Sequence, residues 1–311
     1  FELIFKVFYW LTYQKPYKIL DKVPYKNIYV ESHPYLPFIY KKNFSTEIMS
    51  RADYPLHRGK YFFGAYGTNN LGFLNGLDGY RNVSFKKEKG LIKINCVGAS
   101  TTGNYIIYKN KDYSYPMELE KILNYGNKGH FEVNNCGQGG YNSADILIRF
   151  SLQVVETKPD IVILYHAYND IASYLTPNFM SDYSHCRVNI GDSLWKFRMI
   201  DSLPNIPLHF INYLFDSWFP VSVRNSLSDL ISRGKIDLSL DPSEGLRVYK
   251  RNIQAFIDVC KRNEIQLILS TFCFYLHEEA SNSKTHLRYQ EIVNMENEIM
   301  KELAEKNKLK L

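Results

Sequence analysis

From Leu91 onward the sequence repeats one rhythm: a short apolar run, a turn of small or polar residues, and then a helix-length stretch with apolar residues three and four apart. Leu91 to Val97, Phe131 to Asn135, Asp160 to Tyr165 and Ile265 to Ser270 are the apolar runs. Such alternation is what parallel strands joined by crossover helices require, because each strand must be followed by a helix long enough to bring the chain back along the sheet. The spacing predicts a helix from Pro116 with Leu119, Ile122 and Leu123 on one face, and a second capped by Ser143 with Leu147, Phe150 and Val154 sharing a face. A third carries Leu246, Tyr249, Ile253, Phe256 and Cys260, and a fourth Ile292, Met295, Ile299 and Leu303. Asp160 to Tyr165 is almost continuously apolar, which predicts a strand buried on both faces, and Leu309 to Leu311 reads as the start of a fifth strand. The expected class is α/β: a three-layer parallel sheet in the order 2-1-3-4-5 with helices on both faces.

Residues 1 to 88 have a different texture, rich in Tyr, Pro, Asn and Gly without a sustained helical period, and read as an N-terminal extension packed on the main domain. The domain proper runs from 89 to 311 and is interrupted by an aromatic-rich insertion over about 171–245, too long for a simple connection. With 45% hydrophobic and 23% charged residues in 311, the chain has ample material for a core, and global disorder is excluded. The formal charge of +6 is spread along the chain apart from Lys86 to Lys89, so no nucleic-acid footprint is indicated. Five cysteines without a CxxC pair argue against a disulfide framework and against a zinc site. The opening Phe1 to Trp10 is apolar and aromatic and begins without Met, which reads as the end of a membrane anchor or signal segment upstream of Phe1.

In a parallel sheet, sites form beyond the carboxyl ends of the strands where strand order reverses. Three polar turns fall there: Ser100 after the first strand, Gly139-Gly140 after the second and Asn169 after the third. Acyl transfer needs a hydroxyl exposed on a tight turn and donors aimed at the oxygen that becomes negative. Ser100 has the chemistry of the nucleophile, and the backbone N–H groups of Ser100 and Gly140 with the Asn169 amide have the chemistry of the donors.

The segments Val97-Gly98-Ala99-Ser100-Thr101-Thr102, Asn135 to Tyr141 and Tyr165-His166-Ala167-Tyr168-Asn169-Asp170 resemble the first three blocks of the SGNH/GDSL hydrolases over residues 89 to 311. The resemblance implies a flavodoxin-like sheet and a serine esterase or acyl-transferring hydrolase without cofactor or metal. It assigns Ser100 as catalytic serine, with Gly140 and Asn169 at the oxyanion. Ala99 and Ala167 stand where the family has Asp and Gly. The family's general base comes from an Asp-x-x-His block after the last strand, and the sequence reaches Leu311 before such a block, so truncation ahead of it is the expectation. Asn69-Asn70-Leu71-Gly72-Phe73 is similar to members with an N-terminal anchor acting on extracytoplasmic polysaccharides, which implies an O-acyl carbohydrate as substrate and a membrane-anchored, extracytoplasmic location, a cytoplasmic one being the alternative.

Two matches compete within the chain. Gly191-Asp192-Ser193-Leu194 spells the family name but lies in the insertion without the following blocks, and reads as a helix cap. Asp182-Tyr183-Ser184-His185 matches Asp-x-x-His but precedes the fourth strand, which leaves Asp182 and His185 as a minor alternative base. His166 and Asp170 read as a core histidine and a helix-capping aspartate. From another class, Gly98 to Asn104 also resembles the phosphate loop of flavodoxins, which would make the protein an FMN-binding electron carrier. A catalytically dead binding module of the same fold is the third reading.

Overall fold

A computed structural model of the protein describes residues 30–31, 33–44, 67–74, 81–103, 107–108, 111–112, 114–127, 130–186, 236–274 and 283–311. The readings of Phe1 to Trp10 and of Gly191 to Leu194 lie outside them, as does much of the insertion. Strands in chain order are β1 (Val30–Glu31), β2 (Ile39–Tyr40), β3 (Ile92–Gly98), β4 (Ile107–Tyr108), β5 (Lys111–Asp112), β6 (Phe131–Asn135), β7 (Ile161–Tyr165) and β8 (Gln266–Ser270). The α-helices are α1 (Tyr115–Leu123), α2 (Ser143–Arg149), α3 (Ile171–Tyr174), α4 (Ser243–Arg262) and α5 (Lys284–Asn307).

The main sheet has the order β6-β3-β7-β8, and every neighbouring pair is parallel. The first strand of the domain is therefore flanked by the second and third, which puts the turns after β3, β6 and β7 side by side. Where a fifth strand was expected there is a single parallel bridge between Lys310 and Ile268, with the Leu269 N–H donating to the Lys310 carbonyl at 3.0 Å.

Helices cover the sheet unequally. On one side α1 sets Leu119 and Leu123 against Ile94, Cys96 and Val133. Ile122, expected on that face, is instead 69% exposed, because one residue turns the helix by about 100° and the buried pair is four apart. The other side carries the main core, where Val97, Val162, Leu164, Leu267 and Leu269 meet α2, α4 and α5 through Ile146, Ile253, Phe256 and Leu303. β7 shows the consequence: Val162 and Leu164 are buried, whereas Ile161, Ile163 and Tyr165 are only half-buried, not covered on both faces as its apolar run predicts. The apolar run reflects burial on one side and partial cover on the other.

Two local signals resolve differently from their sequence reading. α2 is capped by Asn142, not by Ser143: the Asn142 side chain accepts from the Asp145 N–H and the Asp145 carboxylate accepts from the Asn142 N–H, a reciprocal capping box. In α5 the buried stripe runs Tyr289, Ile292, Val293, Glu296, Met300, Leu303 and Ala304, so Met295 and Ile299 sit at its edge and a carboxylate lies at its centre.

The described residues ahead of Leu91 are tied to the sheet and the helices on it. Asn69, fully buried, accepts from the N–H groups of Leu71 and Phe73, which folds the Asn69-to-Phe73 turn around its side chain. Buried Arg149 donates to the Cys136 carbonyl and lies over the Phe73 ring, and the Leu74 N–H donates to Asn135 at 2.9 Å. The extension is thereby held against the end of β6 that leads into the candidate site.

Candidate active site

Small residues build the first half of the site. β3 ends at Gly98, Ala99 is buried, and Ser100 is exposed at the head of the turn. Beside it the chain leaves β6 through Gly137-Gln138-Gly139-Gly140, held by the Gln138 N–H donating to the Gly98 carbonyl at 3.1 Å. Gly137 lies so close to the backbone of Gly103 that no side chain fits between the two turns. A methyl placed on Gly139 would sit 3.9 Å from the Ser100 Cβ, so the glycine pair and the serine line one edge. Gly140 is exposed with φ +79, a left-handed conformation natural to glycine. Among the described residues its N–H and that of Ser100 engage no acceptor, whereas the Gly139 N–H donates to the Tyr40 hydroxyl at 3.1 Å.

The second half comes from the turn after β7. The Asn169 side-chain amide donates to the Tyr141 carbonyl at 2.8 Å, which ties Asn169 to the residue following Gly140 and leaves the amide's second hydrogen for another acceptor. Ser100, Gly140 and Asn169 are thus gathered at one end of the sheet.

Beneath Asn169 lies a buried polar network. Asp170 is fully buried and accepts four hydrogen bonds: from the Ser143 N–H at 2.9 Å, the Ser143 hydroxyl at 2.6 Å, the Tyr183 hydroxyl at 2.6 Å and His166 Nε2 at 2.7 Å. Burial alone pushes this carboxyl up; the hydrogen bond and charge of His166, with Ser143 and Tyr183, outweigh it and hold the carboxyl below the usual carboxylate range. Asp170 stands at the cap position of α3, but its side chain makes no capping bond there. The four donors occupy it, so the helix-capping reading gives way to a tie between the turn after β7 and the start of α2. His166 is the core histidine expected, 1% exposed.

The minor alternative base fares differently. His185 Nδ1 accepts from the Met180 N–H at 3.1 Å and its Nε2 lies 3.0 Å from the Ser173 carbonyl, so one ring nitrogen donates and the other accepts, leaving no lone pair for Ser100. Asp182 accepts from the Ser184 N–H at 3.0 Å within its own turn. The pair serves to close the Met180–His185 loop. The phosphate-loop reading meets a similar obstacle: Thr102, whose hydroxyl such a loop would present, is fully buried and donates to the Tyr165 carbonyl at 3.3 Å. Asn104 lies outside the described residues. Among the described residues no group of three or more His, Cys, Asp or Glu could hold a metal ion, and no helix is long and apolar enough to cross a membrane.

Three residues at the site escape the sequence reading. Phe38 and Tyr40 come from the extension, Phe38 facing Gly140 and accepting through its carbonyl from the Tyr141 hydroxyl, Tyr40 accepting from Gly139. Glu296, on α5, accepts from the Tyr168 N–H at 3.1 Å. Each is about 100 or more residues from its partner in sequence, and no local pattern announces such a contact.

No family model and no curated protein matches the sequence. Solved structures do match in outline, at low identity. The chain is similar to the acetyl xylan esterase AlAXEase (15% identity, 71% of this chain and 76% of that one, TM-score 0.39). It is also similar to the SGNH-hydrolase family esterase AlinE4 (18%, 72% and 77%, TM-score 0.36). A third is Axe2, an acetylxylan esterase from Geobacillus stearothermophilus (14%, 70% and 74%, TM-score 0.40).

Proposed function

We propose that the protein is an SGNH-type serine esterase, or an acyl-transferring enzyme using the same chemistry, acting on an ester such as an O-acyl group of a carbohydrate. What supports this reading is that exposed Ser100, the glycine turn beside it and an Asn169 amide with one hydrogen to spare stand on turns at the same ends of three adjacent parallel strands, the Ser100 and Gly140 N–H groups engaging no acceptor among the described residues. The carbohydrate and the extracytoplasmic setting rest on the sequence resemblance.

In this reading the Ser100 hydroxyl attacks the ester carbonyl, forming the Oγ–acyl bond while its proton passes to a general base. The carbonyl oxygen gains negative charge and is met by the Ser100 and Gly140 N–H groups and the free hydrogen of the Asn169 amide. Collapse of the tetrahedral intermediate breaks the bond to the leaving alkoxide, which takes the proton back from the base. Water or an acceptor hydroxyl then removes the acyl group by the reverse sequence. Among the described residues no imidazole is hydrogen-bonded to Ser100, and the base is assigned to the Asp-x-x-His block that the resemblance calls for.

The test is hydrolysis of 4-nitrophenyl acetate and of an acetylated xylo-oligosaccharide by the full-length protein against its Ser100→Ala variant. The expected result is a loss on the order of 10⁴-fold or more. Absence of Ser100-dependent turnover on any acyl donor, or a purified protein carrying bound flavin, overturns the reading.

A further inference from the structure

Tyr168 stands at φ +78, where a bulky side chain is strained, and the Asn169 N–H donates back to the Ala167 carbonyl at 3.0 Å. A hydrogen bond from residue i+2 to residue i across a positive φ closes the rare, strained form of the γ-turn. Such a conformation persists only where its surroundings enforce it. One enforcing group is Glu296. Its Oε2 accepts from the Tyr168 N–H at 3.1 Å, and its Oε1 accepts from the Tyr174 hydroxyl at 3.0 Å. The carboxyl therefore grips both flanks of the segment that contains Asn169 and Asp170. The Tyr168 ring is gripped too, stacked on Phe274 at 5.7 Å and tilted against Tyr289 at 5.2 Å.

Packing does not call for a carboxyl at this position. Glu296 is fully buried in a stripe whose other members are Tyr289, Ile292, Val293, Met300, Leu303 and Ala304, where a leucine would fill space without the desolvation penalty of a carboxyl. Among the described residues no cation acts on it: its two hydrogen-bond partners are a backbone N–H and a phenol, and the charged group acting on it is Asp170. A group that is costly to bury and absent from the chemistry, yet bonded to the strained turn, has its role in that turn.

We infer that Glu296 is a positioning residue that holds the strained turn at Tyr168, so that the Asn169 amide is fixed beside Gly140 and Ser100. This rests on the esterase reading of the same site. Glu296 touches neither substrate nor the reacting atoms; it acts through Asn169.

The test is steady-state hydrolysis of 4-nitrophenyl acetate by the full-length protein carrying Glu296→Leu, Glu296→Gln, Asn169→Ala and the double variant Asn169→Ala with Glu296→Leu. Loss of one oxyanion donor lowers kcat by about 10²–10³-fold. Glu296→Leu is expected to lower kcat at least about tenfold, within that bound, with KM unchanged within about twofold. Glu296→Gln, whose amide can still accept from the Tyr168 N–H and meet the Tyr174 hydroxyl, is expected to retain most of the rate. The decisive comparison is the double variant, which should be no slower than Asn169→Ala alone, because a residue acting only through Asn169 has nothing left to lose. Should Glu296→Leu fail to fold, Glu296→Asp, one methylene too short to keep both bonds, takes its place in the cycle. If Ser100-dependent turnover is present but the two losses multiply, or Glu296→Leu leaves kcat unchanged, the positioning role is overturned and the esterase reading stands. If there is no Ser100-dependent turnover, both fall.

Discussion

Gly140 and Tyr168 adopt almost the same backbone angle, φ +79 and φ +78, and flank the same end of the sheet, yet they reach it by opposite means. At Gly140 the residue itself supplies the conformation, since glycine has no Cβ to clash. At Tyr168 the residue resists it, and a carboxyl from a helix 128 positions away, together with two aromatic rings, holds it there. One half of the site is specified locally and the other by tertiary structure. A locally specified turn can be read from a sequence and broken only at its own residues. A tertiary one is invisible locally and can be broken from a distance.

The largest effect expected from breaking the local half is at Gly137. A Cβ there would run into the backbone of Gly103, and neither turn can yield without moving Ser100 or the glycine pair. Gly137→Ala is expected to destabilise by about 3 kcal/mol, the upper part of the range for overpacking a close contact. Denaturant unfolding monitored by tryptophan fluorescence measures it, and a cost under about 1 kcal/mol would show that the two turns are free to separate.

Gly140→Ala sharpens the comparison with a smaller effect. Space is not the obstacle, since the nearest atom to an added Cβ is Phe38 Cζ at 3.9 Å. The cost is that of a left-handed conformation for a residue with a Cβ, about 1–2 kcal/mol. Tyr168 already bears this cost, so Tyr168→Asn, which tolerates the conformation better but loses the rings, should differ from Gly140→Ala in sign or size. Equal losses at both positions, read as shifts in the urea midpoint, would contradict the contrast drawn between them.

The same contrast explains which parts were legible in sequence. β3, β6, β7 and β8 follow from apolar runs and helix spacing, because those signals are local and periodic; their lateral order is what the flavodoxin-like resemblance implies. Ser100, Gly140 and Asn169 stand at strand ends, so topology alone brings them together once the order is known. What sequence could not give was the support beneath them. Asn142 took the cap from Ser143 because the Ser143 hydroxyl is bonded to Asp170, a partner 27 residues away. Glu296 looks on paper like any solvated position of a charged helix, and only the placement of α5 makes it the buried centre of a stripe. Phe38 and Tyr40 lie in a segment without periodicity, and that segment is tied to the Asn69 turn by the Asn43 N–H donating to the Asn69 carbonyl at 2.9 Å and by the Tyr40 carbonyl lying against Gly72.

Protonation offers the subtlest way to separate the two halves, since only the tertiary half contains buried carboxyls. Glu296 is pushed well above the usual carboxylate range, first by burial and then by the charge of Asp170, while the bonds from Tyr168 and Tyr174 offset only part of this. A carboxyl whose folded pKa lies above its unfolded value contributes stability that is whole below the unfolded value. That contribution drains away as pH rises toward the folded value. Asp170, held below the usual range, behaves in the opposite sense: its contribution is whole above the unfolded value and is lost as pH falls through the folded one. The protein should therefore lose stability on both sides, through Asp170 in acid and through Glu296 as pH rises past the carboxylate range. Glu296→Gln carries no titrating group at that position, so it is expected to flatten the rising-pH limb and leave the acid limb in place. The difference in Tm between the two proteins should change steadily as pH rises above the ordinary carboxylate range. Parallel Tm profiles for the two proteins from acid to alkaline pH would mean that the titration of Glu296 is not raised by folding.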